Sequence, residues 1–394
     1  MAPDATLNRP RARDLGISIG TMTPGPFNAI TDVPGVKVGH ATIIEGDGPL
    51  SVGKGPVRTG VTVILPHDGD IWRQPVFAAP HVLNGNGEMT GLAWVREVGM
   101  LGGAIGITNT HSVGVVRDAL VAEGVRSQPP GAFSWNLPVV GETWDGLLSD
   151  ADGFHVRAEH VRDALDDARS GPVAEGNVGG GTGMVCHEFK GGIGTSSRRI
   201  DEAAGGWTVG ALVQANYGRR GLLRIDGVPV GEAIGLIEVP SPYSMLGRKG
   251  APRDPTNTAI RARDGSIIIV IATDAPLLPM QCARLAQRAG LGLARAGSVA
   301  ATTSGDIFLC FSNGNLGLPQ SETAHEAHGV TAVRMLVDSA LDPLFEATGE
   351  GTADAIVTAL VAAQTMPGRD GIVAHGLPHD RLREVMARFG RLRT

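Results

Sequence analysis

Residues 267–272 form an unbroken apolar run, Ile-Ile-Ile-Val-Ile-Ala, directly after the polar stretch 263–266, RDGS. A short run of β-branched residues behind a turn is typical of a strand that is buried on both faces. Similar patterns predict strands at 59–65, 103–108 and 305–311. We therefore expect sheets that are covered by helices.

The remaining elements are predicted by alternation and by helical periodicity. Residues 274–276 are expected to begin a helix, with Asp274 as the N-cap ahead of Pro276. The order after residue 264 is then strand, helix, strand, helix, helix. Strands are predicted at 207–216 and 236–240, and helices at 111–124, 158–171, 278–289, 333–344 and 382–389.

Three stretches lack a hydrophobic period and are expected to be irregular. Residues 1–20 are interpreted as a loose arm, and residues 125–150 as a loop rich in Pro, Gly and Trp. Residues 241–264 are interpreted as the clearest linker, because Pro, Gly, Arg and Asp follow one another there without a period. Residues 83–92 (LNGNGEMTGL) are predicted to form a glycine-rich turn that leads into a helix.

Composition narrows the class of protein. The 394 residues are 42% hydrophobic and 19% charged, with a net charge of −6, which does not favour binding to nucleic acid. No apolar run reaches the ~18 residues of a membrane span, so we expect a cytoplasmic protein without membrane contact. The wide spacing of Cys186, Cys282 and Cys310 favours buried thiols over a disulfide framework or a zinc site.

Several familiar motifs are incomplete. The glycine-rich segment 178–192 (VGGGTGMVCHEFKGG) lacks the phosphate-loop spacing, since Lys190 is followed by glycine, and tight packing is the better interpretation. The histidine motifs at 67–70 and 325–328 lack metal-ligand spacing and are interpreted as solvated turns. No G-x-S-x-G elbow occurs. No metal or organic cofactor is expected.

Ser266 has two interpretations from the residues alone. It can be an ordinary strand-entry serine. If the Gly265–Ser266 bond is cut, Ser266 instead becomes a chain terminus whose α-amine, with an ordinary pKa near ~8, can act as a general base for its own hydroxyl.

A resemblance that covers almost the whole chain favours the second interpretation. In eight segments the chain resembles the L-aminopeptidase/D-esterase and β-peptidyl aminopeptidase family of self-cleaving serine hydrolases. These segments occur in the family's order at 28–43, 83–92, 107–114, 137–146, 175–198, 213–220, 264–277 and 304–312.

The resemblance implies a fold, an activity and a form of the protein. The fold is a four-layer α/β/β/α sandwich, in which two stacked sheets are flanked by helices. The activity is removal of N-terminal residues from short peptides or from aminoacyl amides and esters. One catalytic domain, residues 1–394, is expected to cleave itself into an α chain of 1–265 and a β chain of 266–394. A homo-oligomer, a tetramer or larger, is also implied.

The resemblance also assigns roles to five residues. Ser266 matches the nucleophile, and Ser304 with Asp306 matches the pair that supports proton transfer around it. Some family members carry glutamate at the position of Asp306. Asn216 matches the residue that helps to hold the oxyanion, and Glu142 the carboxylate that meets the substrate's ammonium group. Without the resemblance, Asn216, Asp306 and Glu142 would be interpreted as a turn former, a strand-edge cap and a solvated loop carboxylate.

Trp144 departs from the aminopeptidase/esterase pattern, in which a tyrosine occurs at this substrate-binding position. The preference among L-, D- and β-aminoacyl substrates therefore stays open. One alternative function is an acyltransferase of the ornithine acetyltransferase type, which uses a threonine nucleophile in a different motif. Another is a non-catalytic glycine-rich binding protein, in which residues 241–264 would be only a loop.

Overall fold

The computed structural model describes residues 9–130, 135–245, 265–318 and 330–393. Two large sheets dominate it. The strands are β1 (Lys37–Glu45), β2 (Val57–Leu65), β3 (Val76–Gly85), β4 (Met100–Leu101), β5 (Ile105–Asn109), β6 (Val139–Thr143), β7 (Val185–Cys186), β8 (Phe189–Lys190), β9 (Gly192–Arg199), β10 (Thr208–Asn216), β11 (Ser266–Thr273), β12 (Gly305–Ser312), β13 (Met366–Pro367) and β14 (Val373–Ala374). The helices are α1 (Leu92–Val98), α2 (Val113–Arg126), α3 (Ala158–Asp167), α4 (Val230–Ala233), α5 (Pro279–Arg295), α6 (Asp342–Ala362) and α7 (His379–Arg388).

The two large sheets have different sizes and orders. The first has four strands in the order β1-β2-β5-β6, and the second has six in the order β4-β3-β12-β11-β10-β9. In the second sheet β11 and β12 run parallel, while β11 pairs with β10 and β12 pairs with β3 in antiparallel fashion. The parallel pair brings the starts of β11 and β12 to the same end of the sheet.

The apolar run that follows Ser266 is buried on both faces, as predicted. Ile268, Val270 and Ala272 belong to the core between the two sheets, together with Ile64 and Ile107 of the first sheet. The odd-numbered residues of the run lie in the core beneath the helices that cover the second sheet. Successive strand side chains point to opposite faces, so a strand between two cores needs apolar residues at every position.

Helices form the two outer layers. α2 and α3 cover the first sheet through residues that include Leu120 and Val161. α5 and α6 cover the second sheet through residues that include Leu285 and Ile356. The predicted four-layer α/β/β/α sandwich is therefore confirmed.

Two predicted elements are wrong. Residues 236–240 form a turn and not a strand, and Ile237 is completely exposed. Residues 330–337 have no regular secondary structure, so the helix predicted at 333–344 does not form as expected. The helix of this region is α6, which begins only at Asp342.

The start and the burial of α6 explain that error. Pro343 lies in the first turn of α6, where its missing N–H breaks no helical hydrogen bond, whereas a helix that began near residue 333 would hold this proline in its interior. α6 is buried nearly all round, and Glu350 and Asp354 form ion pairs of 3.2 and 3.1 Å with buried Arg198. A helix without a polar face shows no amphipathic period in the sequence.

Smaller differences concern element boundaries. The Asp274 carboxylate accepts a hydrogen bond of 2.7 Å from the Thr208 N–H of β10, and α5 begins later, at Pro279. β6 lies within the predicted loop 125–150, and α3 ends at Asp167 before the predicted end. The described part of the N-terminal arm is also not loose, because Arg11 forms an ion pair of 3.0 Å with Glu175.

Two expectations drawn from the composition concern the state of the cysteines and the length of apolar helices. Cys186, Cys282 and Cys310 are buried and free, as predicted. Among the described residues, no helix is both long enough and apolar enough to cross a membrane. Most of the predicted linker, residues 246–264, lies outside the described residues.

Candidate active site

Ser266 stands at the first position of β11, next to the start of β12. Parallel pairing places Ile267 opposite Asp306, so the turn before β12 reaches the serine. The backbone N–H of Gly305 donates to Ser266 Oγ over 2.9 Å. The serine is only 8% exposed, and its hydroxyl oxygen is held in a fixed position.

Ser304 connects the Gly265–Ser266 peptide to an acidic residue. Its Oγ lies 2.6 Å from the carbonyl oxygen of Gly265 and 2.5 Å from Oδ1 of Asp306. A hydroxyl has one hydrogen, so it donates to one of these oxygens at a time. Asp306 is fully buried, and it belongs to the start of β12. The hydroxyl therefore lies between the carbonyl of the bond predicted to be cut and a buried carboxyl group, and it can donate to that carbonyl when it does not donate to Asp306.

Asn216 is the last residue of β10 and lies directly opposite Ser266 in the antiparallel pair. Its Oδ1 accepts a hydrogen bond of 2.8 Å from the N–H of Val185, and its Nδ2 donates to the carbonyl of Trp144 over 3.0 Å. The alternative interpretation of Asn216 as a turn former is wrong, since both ends of its amide are held inside the fold.

Gly265 approaches the backbone of Asn216 too closely for any side chain. A Cβ placed on Gly265 would stand 2.0 Å from the Asn216 carbonyl oxygen and 3.0 Å from its Nδ2. Real Cβ contacts do not reach that first distance, so glycine is required for close approach here.

Glu142 is buried in β6 and is not the solvated loop carboxylate of the alternative interpretation. Its Oε1 accepts from the N–H of Glu88 over 2.8 Å, and its Oε2 accepts from the hydroxyl of Thr110. Burial raises the pKa of Glu142, although both hydrogen bonds oppose that shift. The negative charge of Glu88 raises the pKa further.

Gly87 lies between this carboxylate and the turn before β12. A Cβ on Gly87 would stand 3.1 Å from Glu142 Oε1 and 3.2 Å from the Cα of Gly305. Glu142 and the Ser304–Asp306 turn therefore face each other across one residue without a side chain. The structure thus brings together Glu142 and the serine site, which are far apart in the sequence.

Two asparagines that sequence reasoning missed hold the turn that carries Ser304. The Nδ2 of Asn84 donates to the carbonyls of Ala301, over 3.0 Å, and of Ser304. The Nδ2 of Asn86 donates to the carbonyl of Thr303 over 2.8 Å. The sequence N-G-N-G at residues 84–87 was the available signal. Nothing in its spacing indicated which segment the two asparagines would contact.

Trp144 contributes its backbone and its side chain to different parts of the site. Its carbonyl accepts the hydrogen bond from Asn216. Its indole is 43% exposed. The predicted substrate-binding side chain therefore lies at the surface, next to a buried backbone contact.

The other sequence motifs have structural explanations. Cβ atoms on Gly180 or Gly181 would come within 2.6 Å of neighbouring atoms, which confirms tight glycine packing in segment 178–192. His67 is buried and contacts the Gln74 carbonyl and the Gly69 N–H, so the prediction of a solvated turn is wrong for it. Residues 325–328 lie outside the described residues. Within the described ranges, no group of three or more His, Cys, Asp or Glu could hold a metal ion.

Comparison with known proteins identifies the family. The profile of "Peptidase family S58" matches residues 28–374. The chain belongs to peptidase family S58. The β-peptidyl aminopeptidase BapA of Sphingosinicella microcystinivorans is 47% identical over 392 residues, which are 100% of this chain and 96% of that protein.

Solved structures agree with this membership. A Burkholderia sp. β-aminopeptidase superposes with a TM-score of 0.86 at 52% identity, covering 97% of this chain and 99% of its own. The L-aminopeptidase D-Ala-esterase/amidase of Ochrobactrum anthropi, described as a variant of the Ntn hydrolase fold, gives a TM-score of 0.86 at 43% identity, covering 98% and 100%. The predicted family, fold class and aminopeptidase function of this S58 protein are thereby confirmed.

Proposed function

We propose that this S58 peptidase is a self-processing aminopeptidase whose nucleophile is Ser266. Residues 1–394 would form one catalytic domain that cuts itself into chains 1–265 and 266–394. The observation that carries the proposal is the position of the Ser304 hydroxyl, 2.6 Å from the Gly265 carbonyl oxygen and 2.5 Å from Asp306. When this hydroxyl donates to the Gly265 oxygen, it stabilises the carbonyl at which the serine would attack.

Self-cleavage then follows from the groups at this bond. Ser266 Oγ attacks the carbonyl carbon of Gly265, and the Ser304 hydroxyl stabilises the negative oxygen that forms. The C–N bond breaks, the hydroxyl proton passes to the nitrogen of Ser266, and an ester joins Gly265 to the serine oxygen. Water hydrolyses this ester, which releases the Gly265 carboxylate and restores the serine hydroxyl.

The cleaved enzyme uses both groups of the new terminal serine. The α-amine takes the proton from Ser266 Oγ as the oxygen attacks the substrate's carbonyl, and it returns the proton to the leaving amine or alcohol. Ser304 and Asp306 lie beside the serine and orient that amine. The Nδ2 of Asn216 carries two hydrogens, and the described residues offer it one acceptor, the Trp144 carbonyl. Its second N–H is directed to the oxyanion, and water then releases the acyl group.

The substrate class follows from Glu142. A buried carboxylate next to the serine site selects a substrate with a free ammonium group, so short peptides and aminoacyl amides or esters are proposed. Two similar proteins are named for β-peptidyl or β-amino substrates and a third for L-aminopeptidase and D-Ala-esterase activity. We infer that β-aminoacyl substrates are accepted. A panel of L-, D- and β-aminoacyl p-nitroanilides measures the preference.

A homo-oligomer, a tetramer or larger, belongs to the same proposal. Val330, Val333, Met335 and Val337 are all exposed on the irregular segment 330–337, and exposed apolar side chains of this kind mark interaction surfaces. Light scattering on the purified protein measures the assembly. Cytoplasmic location is also proposed, and cell fractionation tests it.

Intact-mass spectrometry of the purified protein tests the central claim. We expect two chains that break after Gly265 and release p-nitroaniline from an aminoacyl anilide. The Ser266→Ala variant is the matched control, and it should remain one inactive chain. A stable wild-type chain of 394 residues without activity would support the glycine-rich binding protein instead. Cleavage of the Ser266→Ala variant at the same bond would exclude Ser266 as the processing nucleophile.

A further inference from the structure

Lys190 is completely buried in the glycine-rich segment 178–192. Its Nζ lies 2.7 Å from the carbonyl oxygen of Met184, 2.7 Å from that of Gly191 and 3.4 Å from that of Gly181. Within the described part of the chain it forms no ion pair. A lysine ammonium has three N–H donors, so these three carbonyls account for all of them.

This arrangement is costly to build. Burial and the nearby charge of Arg9 both lower the pKa of Lys190. Removing an ammonium from water without an opposite charge is unfavourable, and the hydrogen bonds to carbonyls offset only part of that cost. A leucine or methionine would fill the same space more cheaply, so the amino group is expected to have a use.

The Met184–Val185 peptide connects Lys190 to the candidate active site by hydrogen bonds. Its Met184 carbonyl accepts from Lys190 and, over 2.9 Å, from the N–H of Gly191. The other end of the same peptide unit is the N–H of Val185, which donates to Oδ1 of Asn216 over 2.8 Å. The Nδ2 of Asn216 is the donor that the proposed mechanism directs to the oxyanion.

We propose that Lys190 is a positioning residue for the oxyanion donor Asn216, acting through the Met184–Val185 peptide. The inference rests on the function proposed above. A hydrogen-bond donor on the carbonyl of a peptide makes the N–H of that peptide a stronger donor, and a stronger donor on Oδ1 makes the Nδ2–H groups of the same amide more acidic. No proton moves along this chain of hydrogen bonds, and each donor keeps its own.

The same contacts fix the orientation of the amide. The Val185 N–H requires an oxygen at Oδ1, and the Trp144 carbonyl requires an N–H at Nδ2. A flipped amide would place two donors together and two acceptors together. Lys190 and Gly191 hold the Met184 carbonyl, and thereby keep the Val185 N–H aimed at Asn216.

Lys190→Met tests the role, because methionine matches the lysine side chain as far as Cε and lacks the amino group. We expect kcat, measured per cleaved chain, to fall about 10-fold, which is a fraction of the roughly 10²–10³ that loss of a whole oxyanion donor costs. KM should stay within about twofold, because the stronger donor acts on charge that develops in the transition state. Lys54→Met, at an exposed lysine, is the matched control and should change neither value.

A double-mutant cycle with Asn216→Ala separates positioning from general stability. In the Asn216→Ala background, Lys190→Met should reduce kcat no further. An equal reduction in both backgrounds would show a purely structural role and overturn the inference. If Lys190→Met does not fold, Lys190→Gln, which keeps two N–H donors, carries the same cycle. The inference is also overturned if Asn216→Ala loses activity while both Lys190 variants keep full activity. Full activity of Asn216→Ala would instead contradict the proposed function itself.

Discussion

Asn216 and Ser266 are direct partners at the last paired position of the antiparallel strands β10 and β11. This pairing places an amide and a hydroxyl side by side on a rigid backbone. Gly265 directly precedes Ser266 and has no room for a side chain next to Asn216. The Gly265–Ser266 peptide bond is therefore held close to Asn216 as well. The site is therefore defined by strand register before any substrate binds.

The hydroxyl of Ser304 should be needed for self-cleavage. Ser304→Ala removes the donor from the Gly265 carbonyl oxygen, and we expect cleavage to slow about 100-fold, as for the loss of one oxyanion donor. The time course of the two chains on a denaturing gel measures the rate. Thr302→Ala is the control, since Thr302 is exposed and its backbone carbonyl, which the substitution retains, contacts Asn84. Unchanged cleavage in Ser304→Ala would remove this serine from the processing step.

Gly265→Ala should impair cleavage through geometry alone. The new Cβ would stand 2.0 Å from the Asn216 carbonyl oxygen, so the chain must move away from its partner strand. A shift of about 1 Å in the reacting groups can cost on the order of 100-fold in rate. Gly114→Ala is the control because a Cβ there meets nothing within 4 Å. Normal processing of Gly265→Ala, followed by intact mass, would contradict the requirement for glycine.

The pH dependence of KM should report Glu142. The carboxylate form binds an ammonium group, and it is lost as the pH falls through a pKa that burial raises above the ordinary ~4.3 of glutamate. KM should therefore rise at pH values where a solvated glutamate is still ionised. Glu142→Gln should raise KM at least about 10-fold, since an amide cannot pair with the ammonium group, and it should remove this limb of the profile.

Glu88→Gln provides the matched test of the same shift. The charge of Glu88 raises the pKa of Glu142, while the backbone N–H of Glu88, which the substitution retains, bonds to the carboxylate. Removing that charge should move the acid limb of KM to lower pH and leave KM at alkaline pH unchanged. If the acid limb of the KM profile is unchanged in both Glu142→Gln and Glu88→Gln, the limb belongs to the titration of another group.

Asp145 should make the fold less stable as the pH rises. Burial raises the pKa of its carboxyl to about 7, and the charges of Glu142 and Asp150 raise it as well. An unfolded aspartic acid has a pKa near ~3.9, so between these two values the folded state binds more protons, and stability falls as the pH increases. The loss reaches roughly 4 kcal/mol above pH ~7, because each pH unit between the two pKa values costs about 1.4 kcal/mol.

Asp145→Asn removes this titration. Its thermal midpoint should exceed that of the parent protein at mildly alkaline pH, and the difference should shrink as the pH falls towards the ordinary pKa of aspartate. Both measurements belong on the Ser266→Ala background, so that one uncleaved species unfolds. A constant difference across this range would mean that Asp145 does not titrate between the two values.

Local pattern and resemblance predicted much of the fold. β11 and β12 were recognisable because strands between two cores are apolar at nearly every position, and α5 because one of its faces is exposed. α6 was missed for the opposite reason, since its Glu350 and Asp354 are buried in ion pairs with Arg198 and no polar face marks an outer side of the helix. Ion pairs between distant segments leave no local signal.

In the candidate site, too, some residues could be predicted from the sequence and others could not. Ser266, Ser304 and Asp306 follow from segments that resemble the family, and the structure places them together. The contact of Asn84 with the Ser304 turn joins residues that are 220 positions apart, and no spacing rule predicts it. The role of Lys190 has no sequence signal either, because its burial among carbonyls depends on how segment 178–192 closes on itself.

If the chain is cleaved after Gly265 as proposed, the order of the six-stranded sheet has a consequence for the product. β11 and β12, from the later part of the chain, lie between β10 and β3, from the earlier part. Two fragments interleaved in this way would stay together as long as the sheet is folded, so the proposed cleavage would not separate them. Once unfolded, however, they must find each other again by diffusion. Recovery would then depend on concentration, and the working lifetime of the cleaved enzyme would be set by how slowly it unfolds.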